Sequence, residues 1–196
     1  MAENKVIFGI KNAHYATFTT DTEGNIIYGT PIPMPGLVEL SLEIRGDLIE
    51  FYADDNLYFS GQNNQGYDAT LSIANIPESF AIDVLGEIKD ATDMVSTEVA
   101  TAKGAPFAFL FEFGGDVKAT RYVLYNCTAN RPTVTSSTTT DTVEPTPNEL
   151  TFVSSARSTD YAVKTKTTPD TPAAIYDAWY DAVYEPTLTE TAGVEG

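Results

Sequence analysis

Apolar and polar residues alternate with a period of two along much of this chain, the mark of strands with one face buried and one solvated. In LVELSLEIR, Val38, Leu40, Leu42 and Ile44 fall on one side, and Glu39, Ser41, Glu43 and Arg45 on the other. In PFAFLFEF, Phe107, Phe109, Phe111 and Phe113 alternate with Ala108, Leu110 and Glu112, which puts four phenylalanines on one side of one strand. KATRYVLYNCT follows across the turn-forming Gly114-Gly115-Asp116, so the two runs predict a hairpin. VIFGI and AHYATFTT precede a turn at DTEGN and a short return, IIYG. LIEFYA, GYDATLSIANI, ELTFVSSA and YAVKTKTT bring the total to about eight strands. The expected fold is mainly β, an antiparallel sandwich or barrel.

Two segments read as helices instead. PESFAIDVLG has Pro77 at a first-turn position, Glu78 near the positive dipole end and Gly86 as a stop. Phe80, Val84 and Leu85 would pack that short helix onto the sheets. TPAAIYDAWYDAVY, residues 171–184, places Ile175, Trp179 and Val183 at i, i+4 and i+8 of a C-terminal helix.

Two further segments fit neither pattern. Residues 53–67 read as a polar, Gly/Asn-rich loop with Leu57, Tyr58 and Phe59 in its middle. Such a cluster is either a contact surface or is tucked under its own loop. Residues 87–104 are acidic and rich in Ala and Thr, and read as a flexible hairpin around Met94 and Val95. Residues 185–196 read as a frayed tail. With no internal repeat, heptad or long linker, residues 1–196 are expected to form a single domain with its β core over 5–168.

Composition supports a packed core: 42% of the 196 residues are hydrophobic and 11% aromatic. Charge narrows the function. There are 28 acidic side chains against 11 basic ones, a net charge of −17. That balance argues against a phosphate-binding surface and against docking on an anionic membrane. The N-terminus has no apolar h-region, and the longest apolar run, Ala105 to Phe111, is too short to span a bilayer. A single cysteine, Cys127, forms no internal disulfide and reads as a buried structural thiol suited to a reducing compartment.

The search for chemistry is negative. His14 is the lone histidine and reads as structural, with no signature linking it to Cys127. Asp54-Asp55 lacks the spacing of a calcium loop and reads as solvated charge. No phosphate loop, dinucleotide fingerprint, zinc-protease motif or nucleophile elbow occurs. No catalytic residue, cofactor site or metal site is expected.

The charge is unevenly spread. Residues 1–117 carry a net −13, residues 118–166 a net +2 and residues 167–196 a net −6. Lys118, Arg121, Arg131, Arg157, Lys164 and Lys166 therefore gather on the C-terminal strands. These are either ordinary solvated faces or one half of a self-complementary contact between subunits.

The motifs, taken in order, resemble a known family. YGTPIPMPG (28–36), FYADD (51–55), NQGYDATLSIANIP (64–77) and DVLG (83–86) come first. PFAFLFEFGGDVKATRYVLYNCTANRP (106–132), ELTFVSSARSTDYAVKTKTT (149–168) and the AWYDAVY ending follow. Together they resemble the major tail (tail tube) proteins of long-tailed bacteriophages, in the family named after phage phi13. The likeness runs from about Val6 to Tyr184 and is weakest over 87–104.

The resemblance implies a structural virion protein. Subunits of this kind assemble into hexameric rings that stack into a tube, through whose lumen the genome leaves the capsid without specific binding. It also implies assembly in the host cytoplasm, with tape measure, distal tail and tail terminator proteins as partners. Within that likeness, Leu57, Tyr58 and Phe59 are the candidate ring-stacking residues, and Glu39, Glu43 and Glu50 a candidate acidic lumen face. Lys118, Arg121, Arg157, Lys164 and Lys166 are candidates for contacts between subunits. Two other classes compete. A secreted or surface β-sandwich adhesin or carbohydrate-binding module would suit the 27 threonines and 11 tyrosines, but lacks a signal peptide and an anchor motif. A small carboxylate-only hydrolase or lyase rests on the abundance of Asp and Glu alone.

Overall fold

The structure is a computed structural model that describes residues 3–136, 138 and 146–187. The strands expected from period-two alternation form, and most join one antiparallel sheet. They are β1 (Ile7–Thr20), β2 (Ile26–Tyr28), β3 (Ile32–Pro33), β4 (Leu37–Ile44) and β7 (Tyr67–Ile73), with β10 (Phe107–Gly115), β11 (Thr120–Ala129), β12 (Asn148–Ser154) and β13 (Lys164–Lys166). The sheet order is β2-β1-β10-β11-β12-β7-β4, with β3 also on β1 and β13 also on β11. The two N-terminal stretches fuse into the single strand β1, whose register against β10 shifts twice. Gly9 and Asn12, both at positive φ, lie at those shifts and bend the strand without ending it.

The sheet curls so that β4 returns against β1, and one apolar cluster fills the interior. Phe107, Phe109, Phe111, Leu124 and Tyr15 come from one half of the sheet, and Leu71, Ile73, Leu150 and Phe152 from the other. Helix α1 (Glu78–Asp83) adds Phe80, and Val84 follows at its C-cap. Edge-to-face ring pairs knit the cluster, with Phe107 5.4 Å from Phe80 and 5.6 Å from Phe152. The Phe hairpin forms as the alternation predicts, with Phe113 opposite Thr120 and Phe107 opposite Cys127.

The other face of β1, β10 and β11 is also covered. Ala16, Ala108, Leu110, Val123 and Tyr125 pack against Trp179 and Val183. The C-terminal helix is shorter than expected. Helix α2 spans only Ala173–Asp177, a 3-10 turn covers Ala178–Tyr180, and residues 183–187 are non-helical. Tertiary contacts override the helical pattern here. The Tyr125 hydroxyl donates to the Tyr184 carbonyl at 2.7 Å, and the Trp179 ring stacks on Tyr184 at 5.3 Å. Both need the chain to leave the helix.

Residues 53–67 are not the loop that composition suggests. β5 (Ile49–Ala53) and β6 (Asn56–Gly61) form a hairpin that extends the β4–β7 ribbon. Its two-residue turn is Asp54-Asp55, with φ of 50° and 59°, as a tight type I′ connection demands. Residues 87–104 do contain the expected hairpin, a short one of β8 (Ile88–Lys89) and β9 (Ser96–Thr97). Of the expected frayed tail, residues 188–196 lie outside the described residues.

Candidate assembly surfaces

The β5–β6 arm exposes a dense set of apolar side chains. Ile49, Phe51, Tyr52, Leu57, Tyr58 and Phe59 are all exposed, from 49% at Leu57 to 75% at Tyr58. Phe51 pairs directly with Phe59, and Tyr52 with Leu57 on the opposite face. The three residues picked from the sequence therefore divide between the faces of a ribbon. The arm's strands thus carry aromatic side chains on both faces that no other part of the described chain covers.

A second surface lies on the side of β4, β7 and β12 that faces away from the apolar cluster. Alternation sends Leu40, Leu42, Leu71, Ile73, Leu150 and Phe152 inward. The register then lines up three cross-strand rows outside: Glu39–Ser72–Glu149, Ser41–Thr70–Thr151 and Glu43–Asp68–Val153. None of these nine residues is basic. Glu43 sits directly opposite Asp68, an arrangement of like charges that costs stability. Arg45, 3.6 Å from Asp68, offsets part of that cost. Glu39 and Glu43 thus come together as expected, while Glu50 lies on the arm, pairs with Ser60 and accepts from the Tyr52 hydroxyl at 3.2 Å. Asp68 and Glu149 were missed in the sequence, although alternation within GYDATLSI and ELTFVSSA carries the signal.

The basic residues are partly committed inside the chain. Arg157 is 3% exposed, with its guanidinium 2.5 and 2.6 Å from the Asp160 carboxylate and 3.3 Å from Glu185. It also lies over the Tyr125 ring at 4.6 Å. The hydrogen bonds to Asp160 push the Arg157 pKa up, and the same contact holds Asp160 below the ordinary carboxylate range. Arg121 donates to buried Glu112 at 3.0 Å and lies over Tyr176 and Tyr180. Glu112 also accepts from Asn12 at 2.8 Å and from the Tyr180 hydroxyl at 3.2 Å. These two arginines fasten residues 176–185 to the sheet. Lys118 stands 3.6 Å over the Tyr176 ring, and Lys164 donates to the Tyr67 hydroxyl at 2.8 Å. Lys166 is exposed on β13, and Arg131 pairs with Glu98 at 2.7 Å.

Groups that could carry chemistry are occupied structurally. Cys127 is fully buried, which pushes its thiol up to about 12. The His14 ring stacks on Tyr180 at 4.6 Å, and its Nδ1 is 2.9 Å from the Asn12 carbonyl. Among the described residues no group of three or more His, Cys, Asp or Glu is placed to hold a metal ion. No helix among them is long and apolar enough to cross a membrane.

A family model described as "Phage tail tube protein" matches residues 2–193, nearly the whole chain. The chain belongs to the phage tail tube protein family. It is a structural subunit of a virion tail rather than an enzyme. A search of curated proteins finds no match. Among solved structures, this tail tube protein is similar to the tube-terminating cap of the anti-feeding prophage. That likeness has 14% identity over 85% of this chain and 96% of the other, with a TM-score of 0.45. It is also similar to a chain of the PVC sheath–tube complex in the extended state, at 12% identity over 84% and 93%, TM-score 0.47. A chain of the PVC sheath/tube terminator shows 12% identity over 80% and 94%, TM-score 0.45.

Proposed function

We propose that this tail tube subunit assembles as one domain into hexameric rings that stack into the tube through which the genome is ejected. On the ordered motifs from Tyr28 to Tyr184 we place it with the phi13-type major tail proteins of long-tailed phages. Its partners are then copies of itself and the tape measure, distal tail and tail terminator proteins, met in the host cytoplasm before the virion is complete. The exposed aromatic arm is the observation that carries this reading. A monomer gains nothing from keeping Phe51, Tyr58 and Phe59 in water, whereas a subunit that stacks recovers that burial on assembly.

The acidic, hydroxyl-rich face of β4, β7 and β12 suits the lumen wall. Its three cross-strand rows contain no Lys or Arg to bind phosphate, Arg45 at their end is paired with Asp68, and Glu39, Glu43 and Glu149 repel a duplex. The face tolerates Glu43 opposite Asp68 at a cost that folding alone gives no reason to keep. Lys164 and Lys166, exposed on β13, and half-buried Lys118 are the cations left to meet acidic surfaces of neighbouring subunits.

Concentrated purified protein, supplied with tail-tip nucleators, should form hollow tubes or stacked rings in negative-stain electron microscopy. Leu57→Asp and Phe59→Asp should abolish stacking while leaving the far-UV dichroism and melting curve of the monomer unchanged. A wild-type protein that stays strictly monomeric under those conditions would overturn the reading. Normal tubes from both variants would remove the arm from it.

A further inference from the structure

We infer that the β5–β6 arm of one copy docks into the cleft between the leading half of β1 and the start of β4 of the next copy. The inference rests on the tube reading and names the surface that receives the arm. The cleft has a volume of about 310 Å³ and is lined by Ile7, Phe8, Ile10, Val38, Leu40 and Phe113, with Gly9 and a single charged residue, Glu39. Its apolar rim is uncovered: Val6, Ile7, Phe8 and Val38 are 56–60% exposed. This is another apolar surface, besides the arm, that the core leaves in water among the described residues.

The backbone around the cleft is also unpartnered. Up to Lys11, β1 pairs with β10 alone, and its contacts with β3 begin at His14. β4 pairs with β7 and has no strand on its other edge among the described residues. Free strand edges accept an added strand, so the site can take extended chain through main-chain bonds as well as side-chain burial.

Position decides whose arm arrives. The cleft sits at the Val38 end of β4, and the arm leaves beyond Ile44 at the other end of the same strand. At about 3.3 Å per residue these points are roughly 20 Å apart, so the arm starts from the strand end opposite the cleft. Contact between opposite ends of identical subunits is heterologous and propagates head to tail, which is the geometry of a stack and not of a closed dimer. Charge agrees with the pairing. Residues 46–61 carry Asp47, Glu50, Asp54 and Asp55 with no base, while the β1 side of the cleft, residues 5–12, carries Lys5 and Lys11 against one acid, Glu39, on the β4 side.

The test mixes full-length single-substitution proteins, Phe59→Cys with Phe8→Cys, under mild oxidation during assembly. Cys127 can remain, because it is buried. A disulfide between the two chains should form in the polymer and be absent from the monomer fraction. Ile27→Cys, exposed on β2, replaces Phe8→Cys in the control and should give little product. In parallel, Phe8→Asp should raise the protein concentration needed for assembly about tenfold or more, without changing the monomer's melting curve. Equal cross-linking to Ile27→Cys, or unchanged assembly of Phe8→Asp beside assembling wild type, would overturn the docking site alone. Failure of the wild type to polymerise would overturn the tube reading and the docking site with it.

Discussion

Strand β10 and the β5–β6 arm are built from the same kinds of residue and are put to opposite uses. β10 carries four phenylalanines, with Phe107, Phe109 and Phe111 at most 1% exposed and Phe113 half-buried. The arm carries Phe51, Tyr52, Tyr58 and Phe59, each more than half exposed. Composition does not separate the two, and neither does secondary structure, since both are paired antiparallel strands. The difference is the neighbourhood. β10 sits mid-sheet with α1 on one face and Trp179 on the other. The arm extends past the end of the sheet, where the described chain has nothing to lay over it. An aromatic strand is a core only where the fold supplies a second layer, and otherwise it waits for another molecule.

The widest break in this comparison is Phe109→Ala against Phe59→Ala. Removing the buried ring should cost about 3–5 kcal/mol in urea unfolding, because the cavity in the aromatic cluster collapses only in part. Removing the exposed ring should change monomer stability by less than about 0.5 kcal/mol and show its effect in assembly alone. Comparable losses of monomer stability in the two variants would mean that the arm is packed on the body in solution.

Next in size is Arg157→Ala. It leaves Asp160 without its two short guanidinium contacts and takes a flat cation off the Tyr125 ring. Both carboxylate partners keep some access to water, so the expected loss is about 2 kcal/mol, below that of a wholly buried pair. Limited proteolysis should show residues 176–185 released before the sheet opens. An unchanged digestion pattern would mean that Trp179 and Val183 hold the segment without the latch.

The same latch predicts a pH dependence smaller than the loss of the whole pair. The Asp160 carboxyl is held below its unfolded value of 3.8, chiefly by Arg157. A depressed carboxylate contributes stability that is complete above the unfolded pKa and is lost as pH falls through the lower folded one. Unfolding free energy should therefore drop below about pH 4, and Asp160→Asn should flatten that drop while lowering stability at pH 7. An acid limb that Asp160→Asn leaves unaltered would assign it to other carboxylates.

How much was legible in the sequence follows from what each signal measures. Period-two alternation reports which face of a strand is buried, and it placed the Phe hairpin, the β7 and β12 faces and the middle of β4, where Leu40 and Leu42 turn inward. Val38, at a register shift, and Ile44, at the strand's end, are exposed instead. Alternation is blind to partners distant in sequence. Arg121 and Arg157 read as surface charge because Tyr176, Tyr180, Tyr125 and Glu185 reach them only in the folded chain. The first strand of the arm was read from LIEFYA, but the second, β6, was misread as a loop because the Asn, Gly and Asp content of 53–67 outweighed its short apolar run. The C-terminal helix was overestimated because helical spacing at Ile175, Trp179 and Val183 is also met by a five-residue helix, a 3-10 turn and an extended end.

That misread turn supplies the finest test of the arm. Asp54 and Asp55 both occupy left-handed backbone, which a residue with a Cβ adopts at a cost and glycine adopts freely. The Asn56 side chain returns part of that cost by donating to the Asp54 carbonyl at 3.0 Å. Asp55→Gly relieves strain at one of the two positions, partly offset by the greater freedom of glycine in the open arm. The net gain should be about 0.5 kcal/mol and local to the hairpin, so the global melting curve should not move. Amide exchange across Phe51–Phe59 should slow about twofold, and the concentration needed for assembly should fall by a similar factor, because a preformed arm has less order left to gain on docking. Slower exchange without easier assembly would separate the arm's order from its contact, and would show that the ribbon is already rigid enough to dock before a second copy arrives.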